Sequence, residues 1–314
     1  MHFNSAFPTP HSAFGVGGRV RVVAVFGGGG AKSLACAGAW KAMADAGLTP
    51  GHLVGTSMGA VVGAAFASGA THDEVVIAAR SLSRRDVAPL DPLAVVKGAF
   101  ASHIFRAEGL RRLIDRLVPA TEFEQLKIPL TITTADLDSG ELVLFGAQPQ
   151  APLSSGSTTW REGKGARLHD ALYASCALPL YFPPGRIDGR RLGDGGLRAV
   201  LGLEPAARIA ADLVVAIHVG PGFDEPPLPP SAAVSRLVPP PLIRAHGEAI
   251  RVMMAAQAER AVAEWPRDAA PLVVVRPVAE REATFAVGEG ERYVEAGYRA
   301  TERALAGIGG VADK

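Results

Sequence analysis

The sequence predicts an α/β fold with a mainly parallel central sheet flanked by helices, and three observations carry that prediction. Apolar β-branched runs alternate along the chain with stretches of helical periodicity, as repeated strand and helix units require. Two of the runs stop at glycine and hand over to a helix. A chain of 314 residues that is 48% hydrophobic and 20% charged can also bury enough surface to offset its ordering entropy.

The elements follow in order. Residues 1–19 hold scattered Pro, His, Ser and Gly, without the basic and apolar regions of a signal peptide, and are expected to form a flexible terminus. Residues 20–26 are a β-branched run that stops at Gly27, as a buried parallel strand does. In residues 32–46, Leu34, Trp40 and Met43 recur at helical spacing and Gly47 supplies a C-cap. Residues 52–54 read as a strand and 58–68 as a helix rich in Ala, Val and Gly. Residues 73–82 and 108–117 read as amphipathic helices. Residues 128–135 and 141–145 are strands joined by the turn Asp138-Ser139-Gly140. Strands at 213–219 and 272–275 and helices at 246–264 and 291–305 complete the pattern. The polar residues 146–165 are expected to form a long surface loop. Residues 221–241, with three clusters of proline, are expected to cross the surface in extended form, with a lid or lipid-docking element as the competing reading. A main body over 20–220, a Pro-rich segment over 221–245 and C-terminal elements over 246–314 packed on the same domain are expected.

Composition excludes several classes of function. Thirty-two basic against 31 acidic side chains leave a net charge of +1, which argues against a nucleic-acid groove or a polybasic membrane patch. Two cysteines, Cys36 and Cys176, are too few for a disulfide framework. Residues 46–72 carry no Asp, Glu, Lys or Arg. Gly47, Pro50, Gly51, Gly55, Thr56 and Ser57 nevertheless interrupt them, leaving no run of about twenty apolar residues for a transmembrane helix. No His/Cys/Asp cluster has ligand spacing, so neither a metal nor another cofactor is expected. Without an export signal the expected location is cytoplasmic, with peripheral lipid contact open and the oligomeric state unassigned.

Three motifs carry chemistry. Gly27-Gly28-Gly29-Gly30-Ala31-Lys32-Ser33 follows a strand and opens a helix, so several N–H groups point outward at a helix N-terminus that favours an anion. A Walker loop would place Gly where Ala31 and Phe26 stand, and a dinucleotide fingerprint would end on Gly where Ser33 stands. An oxyanion hole for acyl transfer is the third reading, and this loop alone does not choose. Gly55-Thr56-Ser57-Met58-Gly59 does: G-x-S-x-G between a strand and a helix exposes a serine hydroxyl on a sharp turn. The plainer alternative is a Gly-Ser packing turn. An α/β-hydrolase triad would need a late histidine and more strands before the serine. His169 and His246 read as helix-start or helix-surface residues and His218 as a satisfied core residue, and none sits in a motif. Asp194-Gly195-Gly196 offers a carboxylate on a turn, although Asp and Gly dominate ordinary turns as well.

In this order, the four-glycine loop, G-T-S-x-G and D-G-G resemble the patatin-like phospholipase family. Ala174-Ser175-Cys176-Ala177-Leu178-Pro179 with Phe182-Pro183-Pro184 resembles the family segment ahead of its aspartate. Residues 251–260 and Val294-Glu295-Ala296-Gly297-Tyr298-Arg299 resemble bacterial members. The resemblance implies a patatin-like three-layer sandwich and a lipid acyl hydrolase of phospholipase A, lysophospholipase or esterase type. It implies a Ser57–Asp194 dyad without histidine, an oxyanion hole from Gly28, Gly29 and Gly30, and motif support from Gly55, Gly59, Gly195, Gly196 and Lys32. The implied partner is a lipid or ester substrate, with a membrane surface open, and no nucleic acid. Lys32 then makes an anion contact or is a solvated loop lysine. Ser33 replaces the family's glycine, and residues 85–105 are expected to line an acyl pocket. A catalytically weak lipid-binding protein that retains the fold, and a nucleotide-binding protein using the Gly-Lys-Ser loop, are the alternatives.

Overall fold

The computed structural model describes residues 20–80, 83, 87–97, 100–149, 160–226, 241–281 and 287–309. In chain order the main elements are β1 (Val22–Phe26), α1 (Ala35–Asp45), β2 (Pro50–Thr56), α2 (Met58–Ala67), α3 (His72–Arg80), α4 (Pro92–Lys97), α5 (Ala107–Leu117), β3 (Leu130–Asp136), β4 (Leu142–Gly146), β5 (Trp160–Glu162) and α6 (Leu168–Cys176). The chain continues through β6 (Gly185–Ile187), β7 (Arg190–Asp194), α7 (Gly196–Ala199), α8 (Leu203–Ala206), β8 (Leu213–Ile217), α9 (Pro241–Ala263), β9 (Leu272–Val275) and α10 (Gly290–Gly309).

Among the described residues the strands form one nine-stranded sheet ordered β5-β4-β3-β2-β1-β8-β9, with the β6–β7 hairpin joined to it through β3. The run from β3 through β2, β1 and β8 to β9 is parallel throughout. Side chains alternate along β1: Val22, Ala24 and Phe26 enter one core with Met43, Val62 and Phe66, whereas Val23 and Val25 enter another with Leu201, Leu203 and Ala206. Both faces of the sheet are therefore buried, which is why its strands read as continuous apolar runs. The fold class is the α/β architecture that the sequence predicts.

Local differences have physical causes. The helix expected from residue 32 begins as a 3₁₀ turn, Gly30–Leu34, before α1. The stretch expected as a loop over 146–165 contains β5 at its end, paired parallel with β4. Helix α9 starts at Pro241, inside the expected Pro-rich segment, because proline at a first helical position loses no hydrogen bond. Helix α6 gives no amphipathic signal because Ala171–Cys176 is buried on every side. The expectations for residues 1–19, and for the Pro-rich stretch over 227–240, lie outside the described residues. Among the described residues no helix is long and apolar enough to cross a membrane.

The C-terminal helix is pressed against the first. A Cβ on Gly38 of α1 would collide with the Val294 carbonyl, and one on Gly297 of α10 with the Ala35 carbonyl. Backbone-to-backbone contact of this kind leaves no room for a side chain. Gly297→Leu is therefore expected to force the two helices apart at a cost of about 1–3 kcal/mol or more. Calorimetry should show a lowered Tm, and an unchanged Tm would contradict the tight contact.

Candidate active site

Ser57 occupies the sharp turn between β2 and α2 with φ 53° and ψ −134°, outside the comfortable region for a residue with a Cβ. Such a conformation costs of order 1–3 kcal/mol and persists only where its surroundings over-determine it. Here they do. A Cβ on Gly55 would collide with Ala60, and one on Gly59 with the carbonyls of Phe26 and Gly27, so the turn closes only because both positions are glycine. The Ser57 N–H donates to Ser175 Oγ at 2.8 Å, and that hydroxyl donates to the Thr133 carbonyl at 2.7 Å. Neighbouring Thr56 donates to the Ala199 carbonyl at 2.8 Å and also meets the Thr133 hydroxyl at 2.8 Å.

Asp194 ends β7. Its N–H donates to the Ala177 carbonyl at 3.0 Å. One carboxylate oxygen accepts from the Gly196 N–H at 2.7 Å, and the other accepts from the Ser57 hydroxyl at 2.7 Å. Residues 137 positions apart in sequence are thus in hydrogen-bond contact, Ser57 at 8% exposure and Asp194 at 6%. Burial raises the Asp194 carboxyl to about 6, opposed by the hydrogen bonds from Ser57 and Gly196. Gly195 lies where a Cβ would collide with Thr133, so D-G-G allows β7 to turn against β3. Burial, and then the Asp194 charge, hold the Cys176 thiol well above its ordinary value, with the Ser57 hydroxyl pulling it the other way.

The glycine-rich loop lies beside this pair, with two differences from expectation. The Gly28 N–H is already given to the Val200 carbonyl at 2.8 Å, so Gly28 is not a free donor. What it contributes is room, since its Cβ would stand 3.2 Å from Ser57 Cβ. Among the described residues, the N–H groups of Gly29 and Gly30 have no internal acceptor, and neither has that of Met58 at the positive end of α2. A Cβ on Gly29 would collide with the Val219 carbonyl, so a side chain there would displace the loop itself. Lys32 is neither solvated nor aimed at a ligand. It is buried, and its Nζ donates to Glu225 Oε1 at 3.2 Å and to the Glu280 carbonyl at 2.8 Å. Ser33 is fully buried, and its hydroxyl donates across the loop to the Gly27 carbonyl at 3.3 Å.

No histidine among the described residues hydrogen-bonds Ser57 or Asp194. His169 is held by Asp115 at 2.8 Å and the Val118 carbonyl at 3.0 Å, in a cleft of about 420 Å³ that Ser57 and Asp194 do not line. His218 is buried just beyond β8 and is not satisfied: its Nδ1 has no partner among the described residues, and burial, reinforced by Arg276, pushes its pKa down to about 4. His246 sits in α9 with its Nε2 unpartnered. The segment expected to line an acyl pocket divides. Leu90, Leu93, Val96 and Phe100 are exposed, whereas Phe105 packs on Tyr181 and Phe182.

Two residues beside Ser57 were not singled out from the sequence. The Met58 N–H, unbonded among the described residues, follows the elbow serine directly, the position from which a G-x-S-x-G turn can offer an oxyanion donor. Ser175 lies in the segment that resembles the family, but its bridging role carries no local signal, because its partners are Ser57 in the turn after β2 and Thr133 of β3.

A serine elbow on an α/β sheet, with a carboxylate against its hydroxyl and unbonded N–H groups in the loop nearby, is an arrangement able to support nucleophilic acyl transfer. The chain belongs to the patatin-like phospholipase family, whose model matches residues 24–207. An uncharacterized NTE family protein of Mycobacterium tuberculosis is 33% identical over 224 residues, covering 69% of this chain and 56% of that protein. Patatin-like phospholipase domain-containing protein 7 of Rattus norvegicus is 26% identical over 219 residues, covering 68% of this chain and 15% of that protein. The chain thus spans little more than half of the mycobacterial relative and a small part of the rat one.

Ser175→Ala should leave the buried Ser57 N–H without an acceptor, at a cost of about 1–3 kcal/mol. Thermal unfolding should show that loss. Any ester hydrolysis should fall with it as the elbow relaxes, and wild-type values in both would contradict the bracing.

Proposed function

We propose that this chain is a serine lipid acyl hydrolase that cleaves fatty-acyl esters through a Ser57–Asp194 dyad. The observation that carries the reading is the 2.7 Å hydrogen bond from Ser57 Oγ to Asp194 Oδ2 at a main-chain elbow of positive φ. Family membership supports a lipid ester as the substrate class. Phospholipids, lysophospholipids and simple acyl esters all present the required carbonyl.

Asp194, ionised above its raised pKa, takes the Ser57 proton as Oγ attacks the ester carbonyl. The carbonyl oxygen becomes an oxyanion within reach of the Gly29, Gly30 and Met58 N–H groups. One such donor is worth roughly 10²–10³ in rate, so the loop matters as much as the base. Collapse returns the proton to the leaving alkoxide and leaves an acyl-serine. Water then attacks the acyl carbon, giving its proton to Asp194, and the fatty acid departs as Ser57 is restored.

A fluorophosphonate reagent should label Ser57, and Ser57→Ala should abolish labelling and hydrolysis together. Asp194→Asn should lower kcat by about 10²–10⁴, the contribution of a positioned base. His169→Ala, His218→Ala and His246→Ala should retain the chemistry. A folded histidine variant that is silent while Asp194→Asn turns over would replace the dyad with a triad. A screen of phospholipids, lysophospholipids, acylglycerols and simple esters that finds no turnover would favour the weak lipid-binding alternative.

The pH profile makes a separate prediction. A general base works only when deprotonated, and burial raises Asp194 to about 6. kcat/KM should therefore climb as pH rises through about 6 and level off above it. A flat profile between pH 5 and 8 would contradict Asp194 as the base.

A further inference from the structure

We propose that Glu225 is a positioning residue for the oxyanion loop, holding Gly29 and Gly30 in place through its buried ion pair with Lys32. The inference rests on the reading of that loop as the oxyanion hole.

Four consecutive glycines form the least constrained backbone available to a protein, yet oxyanion donors are useful only when preorganised. The entry to the loop is fixed by the hydrogen bonds of Gly27 to the Ile217 carbonyl at 3.1 Å and of Gly28 to the Val200 carbonyl at 2.8 Å. Beyond Gly30 the loop is fixed by Lys32, whose Nζ reaches Glu225 and the Glu280 carbonyl. The Lys32 and Glu225 side chains are 6% and 1% exposed, so this anchor is shielded from water. Gly29 and Gly30 lie between these attachments, and the Ser33 hydroxyl ties the far side of the loop back to the Gly27 carbonyl at 3.3 Å.

Glu225 is also where three parts of the chain meet. Its Oε1 lies 3.8 Å from Arg276, just past β9, and its Oε2 lies 3.7 Å from Arg251 of α9. Among the described residues Oε2 makes no hydrogen bond, so the carboxylate is directed at Lys32 and is held by surrounding positive charge. Arg276 is itself tied to Asp224 at 2.5 Å, and Arg251 donates to the Gly222 carbonyl at 3.3 Å, which fixes residues 222–225. A buried ion pair is weak evidence for stability, and its best-attested use is to fix register. The register fixed here is that of the glycine loop.

The test is Glu225→Gln, which keeps the shape and removes the charge, with Glu225→Asp as the conservative variant. Hydrogen exchange of a peptide covering residues 25–35 reads the loop through its hydrogen-bonded amides, Gly27 and Gly28 at the entry and those of the 3₁₀ turn beyond it. The expected result for Glu225→Gln is exchange faster there by about tenfold or more, with other protected peptides unchanged. With a soluble aryl ester, kcat should fall by about tenfold or more while KM stays within about threefold, the pattern of an interaction made only in the transition state. Glu225→Asp, which retains the charge, should recover most of both. If Glu225→Gln does not fold, the carboxylate withdrawn by one methylene in Glu225→Asp should show the same loop-confined exchange in smaller measure. Loop exchange at the wild-type rate, or a rise spread evenly over the chain, overturns the proposal. A wild-type protein that hydrolyses no ester would remove the hydrolase reading, while the exchange of the loop would still decide whether Glu225 holds it.

Discussion

The site depends on one strand pairing with two others. Strand β3 runs parallel to β2, with Thr133 opposite Thr56, and antiparallel to β7, with Thr134 opposite Asp194. Consecutive residues of a single strand therefore set the places of the two groups that meet at the site. Ser57 follows Thr56, and Asp194 is itself in the ladder. Sheet register is fixed by backbone hydrogen bonds and by the buried faces on either side, so a slip would turn every side chain of a strand to the wrong face. The separation of hydroxyl and carboxylate inherits that rigidity.

Holding the pair in place has a cost that the surroundings offset. Ser57 occupies an unfavourable backbone conformation, and Asp194 is a carboxylate whose charged form is disfavoured by burial. Offsetting them are the hydrogen bonds of Gly196 and Ser57 to the carboxylate and the Ser175 bridge from the elbow to β3. The unfavourable terms are concentrated where the chemistry would occur, and both cores of the sheet, each lined by β1, carry the remainder.

Much of this was legible in the sequence because glycine records close approach. Gly55, Gly59 and Gly195 each stand where a Cβ would strike backbone, and they mark the motifs that identify Ser57 and Asp194. Strands buried on both faces were legible as apolar runs. Contacts between distant segments were not. Lys32 looks solvated in its local sequence because its partners lie 193 and 248 residues further on. Ser175 sits in a segment that resembles the family, yet nothing local shows that its hydroxyl bridges the elbow to β3, and Gly28 gives no hint that the Val200 carbonyl takes its N–H. Proline misled in one place, at the start of α9, where the rule that excludes it from helix interiors does not apply.

The contact of α10 with α1 bears on the order of events during synthesis. Helix α1 follows directly from the glycine loop, and its neighbour α10 is made near the end of the described chain. The carbonyl of Glu280, one of the two acceptors of Lys32, is also made late. A ribosome that has completed β7 has already produced Ser57, Asp194 and all four glycines, but neither of the late supports of the loop. The nascent chain thus carries Ser57, Asp194 and the four glycines before either late support of the loop exists, so full bracing of the loop waits on Glu280 and on α10.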